Sequence, residues 1–370
     1  MKFLIGSTFF YPDVRRHYRE LVEDNLAIVK LADELGYYGV TLAEHHFNNY
    51  ICNPSHLQYV AYFAAHTQRL RLMTTVLVLP YHKPLALAEE IALADHLSEG
   101  RLDVGVARGA NKYEFDRLGI DWNQNRAMYD EALDIIQKAW TTEDFEYHGK
   151  FWSFPRATTL PRPYQQPHPP LWISGQSLEG VRAIAVKGAN LLTSPNYGTF
   201  APYGDLEVTL GEFNRALEES GRPRPNIGLL RRVHVRHTEE EALPFVQNCL
   251  EHWRYYMAFF EARQQQDRFG ERRYVEANVV GGAIARPELD LDLTDVYSTY
   301  DDPIITSAEK AVARIKKYEQ LGVTHMLLLM SFGVSRRDVM ESMRVFATEV
   351  MPHFAEPAQE RPPALATATG

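Results

Sequence analysis

Glu44, His45 and His46 follow the short apolar run Val40-Thr41-Leu42 and precede Asn48-Asn49, the pattern of a strand end opening into a loop. Imidazole, with an ordinary pKa near ~6.5, can donate or accept a proton at neutral pH, so such a pair invites an acid/base reading. Successive strand residues point to opposite faces, however, and His45 and His46 therefore cannot both aim at one point. A metal site is not expected, because zinc needs three or four converging ligands and no H-x-H or C-x-x-C spacing lies nearby. A purely structural pair, each ring satisfied by a backbone carbonyl, stays open on these residues alone. Further along stand Arg108, Arg126 and Gly175-Gln176-Ser177. Two guanidiniums, a hydroxyl and a helix N-terminus can cradle a phosphate, although an exposed, salt-bridging arginine is the commoner fate of any one of them.

These residues need a scaffold that brings them to one face. Apolar runs predict strands over residues 3–8, 39–44, 70–79, 101–107, 171–175, 189–194, 227–235 and 324–330, each followed by a segment of helical spacing. The run 70–79 is nearly continuous in Leu, Met, Thr and Val, as in a strand covered on both faces. Pro84 opens one helix and Gly100 lies just past its end. Alternation of this kind implies an all-parallel sheet, and eight strands favour an α/β fold of the (β/α)8 barrel type, a TIM barrel with insertions. An open doubly wound sheet is the alternative, but the Gly-rich turn expected after its first strand is missing. In a barrel, active-site side chains lie at the C-terminal strand ends. Those ends carry Glu44, His45 and His46, the stretch Thr75 to Pro80, Arg108, and residues 175–177.

One domain is expected over residues 1–355. Residues 141–170 read as an insertion, with a hairpin turned at Gly149-Lys150, and 264–303 as a lid lacking sustained periodicity. The helix opened by Thr238-Glu239-Glu240-Glu241 is expected to run past Phe260, and residues 356–370 form a Pro/Ala/Thr-rich disordered tail.

The 370 residues are 45% hydrophobic and 24% charged, with a net charge of -9 and no basic block, which argues against a nucleic-acid partner. The two cysteines, Cys52 and Cys249, are too few for a disulfide framework and fit a reducing cytoplasm. Met1 leads straight into a strand with no targeting pattern, and no apolar run reaches membrane-spanning length.

The chain resembles the bacterial luciferase-like flavin monooxygenases. The likeness rests on Glu44-His45-His46-Phe47, on Val78-Leu79-Pro80 with His82-Lys83-Pro84 and Glu89, on Asp95 to Leu102, and on Arg108-Gly109. Phe115 to Gly119, Asn125-Arg126-Ala127 and Glu349-Val350-Met351-Pro352 complete the ordered set, which spans roughly residues 1–355. The resemblance implies reduced FMN at the barrel mouth, with Arg108 and Arg126 at its phosphate and Ser177, beside Gly175 and Gln176, near it. It implies His45 as catalytic acid/base with Glu44 and His46 behind it, and a non-prolyl cis peptide at about Thr75-Val76 under the ring. An oxygenase fed by a separate flavin reductase follows, using dioxygen and acting as a homodimer through the second and third helices. The substrate is expected to be small and apolar, given Phe10, Tyr11, Tyr59, Tyr113 and Tyr197 near predicted strand ends or loops. Ala107 stands where luciferase has a reactive cysteine, which separates this chain from luciferase itself. Two alternatives stay open: an F420-dependent hydride-transferring oxidoreductase of the same superfamily, and a non-catalytic flavin-binding partner subunit.

Overall fold

The computed structural model describes residues 1–7, 9–11, 13–49, 51–194, 206–249, 251–252, 278–280, 283–285 and 303–354, the pairs of short strands at 278–285 by their backbone alone. Apolar runs with both faces covered form the strands β1 (Lys2–Ser7), β2 (Gly39–Leu42), β3 (Arg71–Thr74), β4 (Leu77–Val78) and β5 (Leu102–Ala107). An antiparallel hairpin, β6 (Phe145–His148) and β7 (Ser153–Ala157), precedes β8 (Leu171–Ser174), β9 (Asn190–Thr193) and β10 (Ile227–Arg236). Then come β11 (Asn278–Val280), β12 (Ala283–Ala285), β13 (Ile304–Ser307) and β14 (His325–Leu329).

Parallel pairing runs β1-β2-β3-β5-β8-β9-β10-β14, and β14 pairs back to β1. The expected eight-stranded barrel is therefore closed. Around it lie α1 (Tyr18–Leu35), α2 (His56–Ala64), α3 (Pro84–Leu97), α4 (Lys112–Leu118), α5 (Asn125–Thr141), α6 (Leu178–Lys187), α7 (Leu206–Ser220), α8 (Glu239–Ala242), α9 (Ala308–Gln320) and α10 (Arg336–Val345). Leu4, Met73, Trp172, Leu192 and Leu327 form an apolar cluster of their own, apart from the larger core. The larger core lies between barrel and helices, where Ile5, Val40, Leu72 and Val104 meet Val29, Val60, Ile91 and Ile136.

The third strand departs from the expected continuous run. Met73 pairs with Asp103, but beyond the break Leu77 pairs with Val106, so the register slips by one residue, as at a bulge. The Thr74 hydroxyl bridges the gap: Oγ1 donates to Gly105 O at 2.9 Å and accepts from Gly105 N at 2.8 Å. A Cβ at Gly105 would lie 2.1 Å from Thr74 O, so this close approach demands glycine. Within the break, the Thr75–Val76 peptide is cis, as the resemblance implies.

Other boundaries shift for local reasons. β2 ends at Leu42 and not at Glu44, because Ala43 O accepts from Asn53 Nδ2 and His45 N donates to Asn53 O. The helix opened by Thr238 breaks at Leu243, where Pro244 follows, and resumes over 244–249; its expected continuation past Phe260 lies outside the described residues. The hairpin in the 141–170 insertion turns over 149–152, with the Glu131 carboxylate accepting from the amides of Lys150, Phe151 and Trp152. β10 outruns the barrel, and its last four residues pair with β13 in a strand that the periodicity did not mark. Most of the expected lid at 264–303 and the tail at 356–370 lie outside the described residues.

Several imidazoles are buried in this frame. Burial pushes His56 down to about 4 against the opposing pull of Glu44. Burial also takes His234 and His325 to about 3, aided by Arg236 at the first and by Lys2 at the second. All three folded values lie below the ordinary 6.5, so the unfolded chain binds protons first as the pH falls. Their contribution to stability is complete above 6.5 and is lost as the pH drops toward 4 and 3. Urea unfolding is expected to show a loss of about 2 kcal/mol per buried imidazole between ~pH 7 and ~pH 5. A stability constant across that range would contradict the burial of these rings as neutral groups.

Candidate active site

A cavity of about 520 Å³ opens at the C-terminal ends of the barrel strands. Val76, Ile173, Leu192, Leu230, Leu327 and Leu329 give it an apolar lining. Of the residues singled out from the sequence, Glu44, His45, Thr75, Val76, Arg108, Arg126, Gly175, Gln176 and Ser177 all line it. His46 does not.

The two adjacent histidines diverge in the loop that follows β2. His46 turns to the buried Glu44, with Nε2 3.1 Å from Oε1, and His82 Nε2 reaches the same oxygen at 2.9 Å. Val78 N donates to the other oxygen at 2.8 Å, so one carboxylate ties the loop after β2 to the segment just beyond the cis peptide. Burial works against charge on Glu44, but the hydrogen bonds from His46 and His82 outweigh it and hold the carboxyl well below its usual range. His46 is raised in turn: burial lowers it, and the Glu44 carboxylate more than compensates.

His45 turns the other way. Its Nδ1 lies 2.9 Å from Oε1 of Glu114, a residue 1% exposed on α4, whose Oε2 accepts from Tyr81 OH at 3.0 Å. A buried carboxylate that orients an imidazole is the usual companion of an acid/base histidine.

Cationic side chains line the same cavity. Arg108 follows β5 and is exposed, and Gly109 turns the chain with φ of 84°. A Cβ at Gly109 would come within 2.7 Å of Phe115 and of Val78. Gly109→Ala is therefore expected to cost about 1–3 kcal/mol in urea unfolding, from strain at positive φ plus overpacking. An unchanged unfolding midpoint would contradict that geometry.

Arg126, in the first turn of α5, pairs with Asp130 at 3.1 Å, and Asp130 also meets Lys187 at 3.7 Å. Ser177 caps α6, its Oγ accepting from Gly180 N at 3.1 Å. Gln176 Nε2 donates to Ser194 Oγ at 2.5 Å and so joins the ends of β8 and β9. Two guanidiniums thus line the same cavity as the N-terminus of a ten-residue helix, and both kinds of group can bind an anion. Among the described residues no cluster of His, Cys, Asp and Glu could hold a metal ion.

Four of the five aromatic residues noted near predicted strand ends or loops do not line the cavity. Phe10, Tyr11, Tyr59 and Tyr113 lie off the cavity and Tyr197 lies outside the described residues; the aromatic lining comes from Tyr81, Trp122 and Tyr129. Phe10 packs on His252, and Tyr59 on Phe9 and Tyr18, so loop position alone misassigned them. Glu114, Tyr81 and Arg232 went unmarked, and His82 was noted only as part of a family motif. A glutamate in a short helical stretch reads as solvated, and only the cap at Asn111 with the αL Gly119 marks α4 at all.

A family model described as "Luciferase-like monooxygenase" matches residues 1–325. The chain is 29% identical over 349 residues to the oxygenase component of the flavin-dependent trigonelline monooxygenase of Acinetobacter baylyi, covering 93% of this chain and 92% of that protein. The crystal structure of monooxygenase RslO1 from Streptomyces bottropensis superposes with a TM-score of 0.79 at 25% identity, over 96% of this chain and 100% of that one. The FMN complex of the oxygenating constituent of 3,6-diketocamphane monooxygenase from Pseudomonas putida shares the fold, with a TM-score of 0.74 at 18% identity and 96% and 99% coverage.

Proposed function

Because the chain belongs to the luciferase-like monooxygenase family, we propose that it is the oxygenase component of a two-component system, taking reduced FMN from a separate flavin reductase and dioxygen from solution to oxygenate a small, largely apolar organic substrate. One observation carries this reading: a single cavity is lined both by an imidazole oriented by a buried carboxylate and by Arg108, Arg126 and the α6 N-terminus. The donor set suits the group. A phosphate fits the guanidiniums and Ser177, and a flat ring fits the apolar lining at Thr75 and Val76.

When bound, reduced flavin supplies the electrons that activate dioxygen. The protein holds, dries and protonates. Glu114 fixes the His45 ring through Nδ1, and proton exchange with the reacting groups runs through Nε2. Leu230, Leu327 and Leu329 exclude the water that would divert the reaction to hydrogen peroxide. Glu44, His46 and His82 act behind His45, by fixing the backbone at Val78.

Our reading includes a homodimer through α2 and α3. Leu93 and Leu97 on α3 are 50% and 55% exposed, and Leu160, bonded through its amide to Glu89, and Tyr164, stacked edge-on to His96, extend that apolar surface. It also assigns the protein to a reducing cytoplasm, which the free Cys52 and Cys249 fit. Among the described residues no helix is long and apolar enough to cross a membrane.

The test is oxygen uptake with chemically reduced FMN and, in parallel, with reduced F420, over a panel of apolar carbonyl and aromatic compounds. Substrate-coupled uptake with FMN alone is expected. Hydride transfer from F420 without oxygen consumption would contradict the reading, as would failure to bind flavin at all, which is the behaviour of a non-catalytic subunit.

A further inference from the structure

The Tyr129 hydroxyl is a group in this cavity to which the phosphate and proton-transfer roles give no task. Tyr129 is 6% exposed and lines the cavity, yet its hydroxyl oxygen is buried with no hydrogen-bond partner. A buried hydroxyl left without a partner is costly, and one that stays so in the free protein points to a ligand that supplies it. Asn111 Nδ2 and Thr193 Oγ1 are lining groups in the same condition, but they stand in the loop after β5 and on β9. Of the three residues, Tyr129 is the one that shares a helix with Arg126.

Helix geometry places that hydroxyl. Tyr129 follows Arg126 by three residues, so the two share one face of α5, and long helical side chains lean back over the preceding turn, here that of Arg126. Burial first, and Asp130 second, raise the hydroxyl well above its ordinary range against the opposing pull of Arg126. It is therefore a protonated donor at any working pH. On α6 a single stripe, Ser177, Gly180, Ile184 and Lys187, lines the same cavity, and the ion pair between Asp130 and Lys187 at 3.7 Å ties that helix to α5. Asp130 is shared between Arg126 and Lys187, so these three groups carry a surplus of positive charge. The first turn of α6 adds donors of its own. Ser177 accepts from the amides of Gly180 and Val181, which leaves those of Leu178 and Glu179 without an acceptor inside the helix.

We propose that Tyr129 is a further phosphate-binding residue, donating its hydroxyl hydrogen to a phosphate oxygen of FMN in company with Arg126, so that it helps the site select the phosphorylated flavin over the unphosphorylated one. The inference rests on the flavin reading above and adds a neutral donor to the two arginines and Ser177. A hydroxyl that donates to an ionised oxygen forms a charge-assisted bond, and its loss weighs more than that of a bond between neutral groups.

Tyr129→Phe deletes the hydroxyl and keeps the ring. Fluorescence titrations of the full-length wild type and variant with FMN and with riboflavin are expected to show FMN affinity falling about tenfold or more and riboflavin affinity holding within about twofold. Urea unfolding without flavin should show no loss of stability in the variant, since the hydroxyl has no partner in the protein to lose. Equal FMN affinity in the two proteins would overturn the inference. So would an equal loss for riboflavin, which would put the hydroxyl on the ring or the ribityl chain, and so would a lowered unfolding midpoint without flavin, which would give it a partner within the protein. The wild type separates the two levels. One that binds neither flavin overturns the flavin reading and the role of Tyr129 with it, and one that binds both alike overturns the phosphate cradle and the place of Tyr129 in it. A wild type that prefers FMN to riboflavin, with no loss in Tyr129→Phe, overturns only the role given to Tyr129.

Discussion

His45→Ala is expected to cut product formation by about two to four orders of magnitude, the range spanned by a positioned general acid or base. FMN affinity should stay within a few-fold of wild type. The reason is a division of labour: His45 is oriented by Glu114 on α4, whereas the phosphate cradle we propose draws on Arg108, Arg126 and the α6 N-terminus, which belong to other elements. Removing the imidazole takes away a proton carrier and leaves the cradle in place. Oxygen should still be consumed, with its electrons appearing as free hydrogen peroxide, so the ratio of peroxide to product is the sensitive readout. Unchanged product yield would remove His45 from the chemistry. A collapse of flavin affinity would instead make it a binding residue.

Arg108→Glu is expected to lower FMN affinity by about two to three orders of magnitude, through loss of a charge-assisted contact and addition of a like charge beside the phosphate. Arg126→Glu should do the same less severely, because Arg126 already shares its charge with Asp130 at 3.1 Å. Riboflavin lacks the phosphate and serves as control, its weaker binding being nearly indifferent to either change. Arg108 is solvent-exposed, so the substitution should leave urea unfolding unaffected and the binding loss can be read directly. Equal FMN affinity in wild type and Arg108→Glu would take that residue out of the cradle.

Much of this architecture was legible in the residues. Strands covered on both faces announce themselves as unbroken apolar runs, which is why β5 and β14 fall within a residue or two of their expected limits. The helix end marked by Gly100 was equally plain, since positive φ there favours glycine. The divergence of His45 and His46 was expected from strand parity, but it arises in the loop beyond β2, where their separate carboxylate partners set it.

What escaped was whatever depends on partners distant in the chain. Glu114 meets His45 across 69 positions, and no local pattern distinguishes a carboxylate buried against a ring from one on a solvated helix face. Arg232 was lost in the same way, since nothing local in the run 227–235 shows that the barrel buries Arg231 and Arg232. β13 was missed because it pairs only with the overhang of β10, which a period cannot foretell.

The central claim, that His45, Arg108 and Arg126 serve one flavin, is tested most directly by a crystal structure of the protein with FMN. The account predicts phosphate oxygens within hydrogen-bonding distance of Arg108, Arg126 and Ser177, and the ring against Thr75 and Val76 within reach of His45. A flavin bound elsewhere, or one whose phosphate sits away from both arginines, would contradict it.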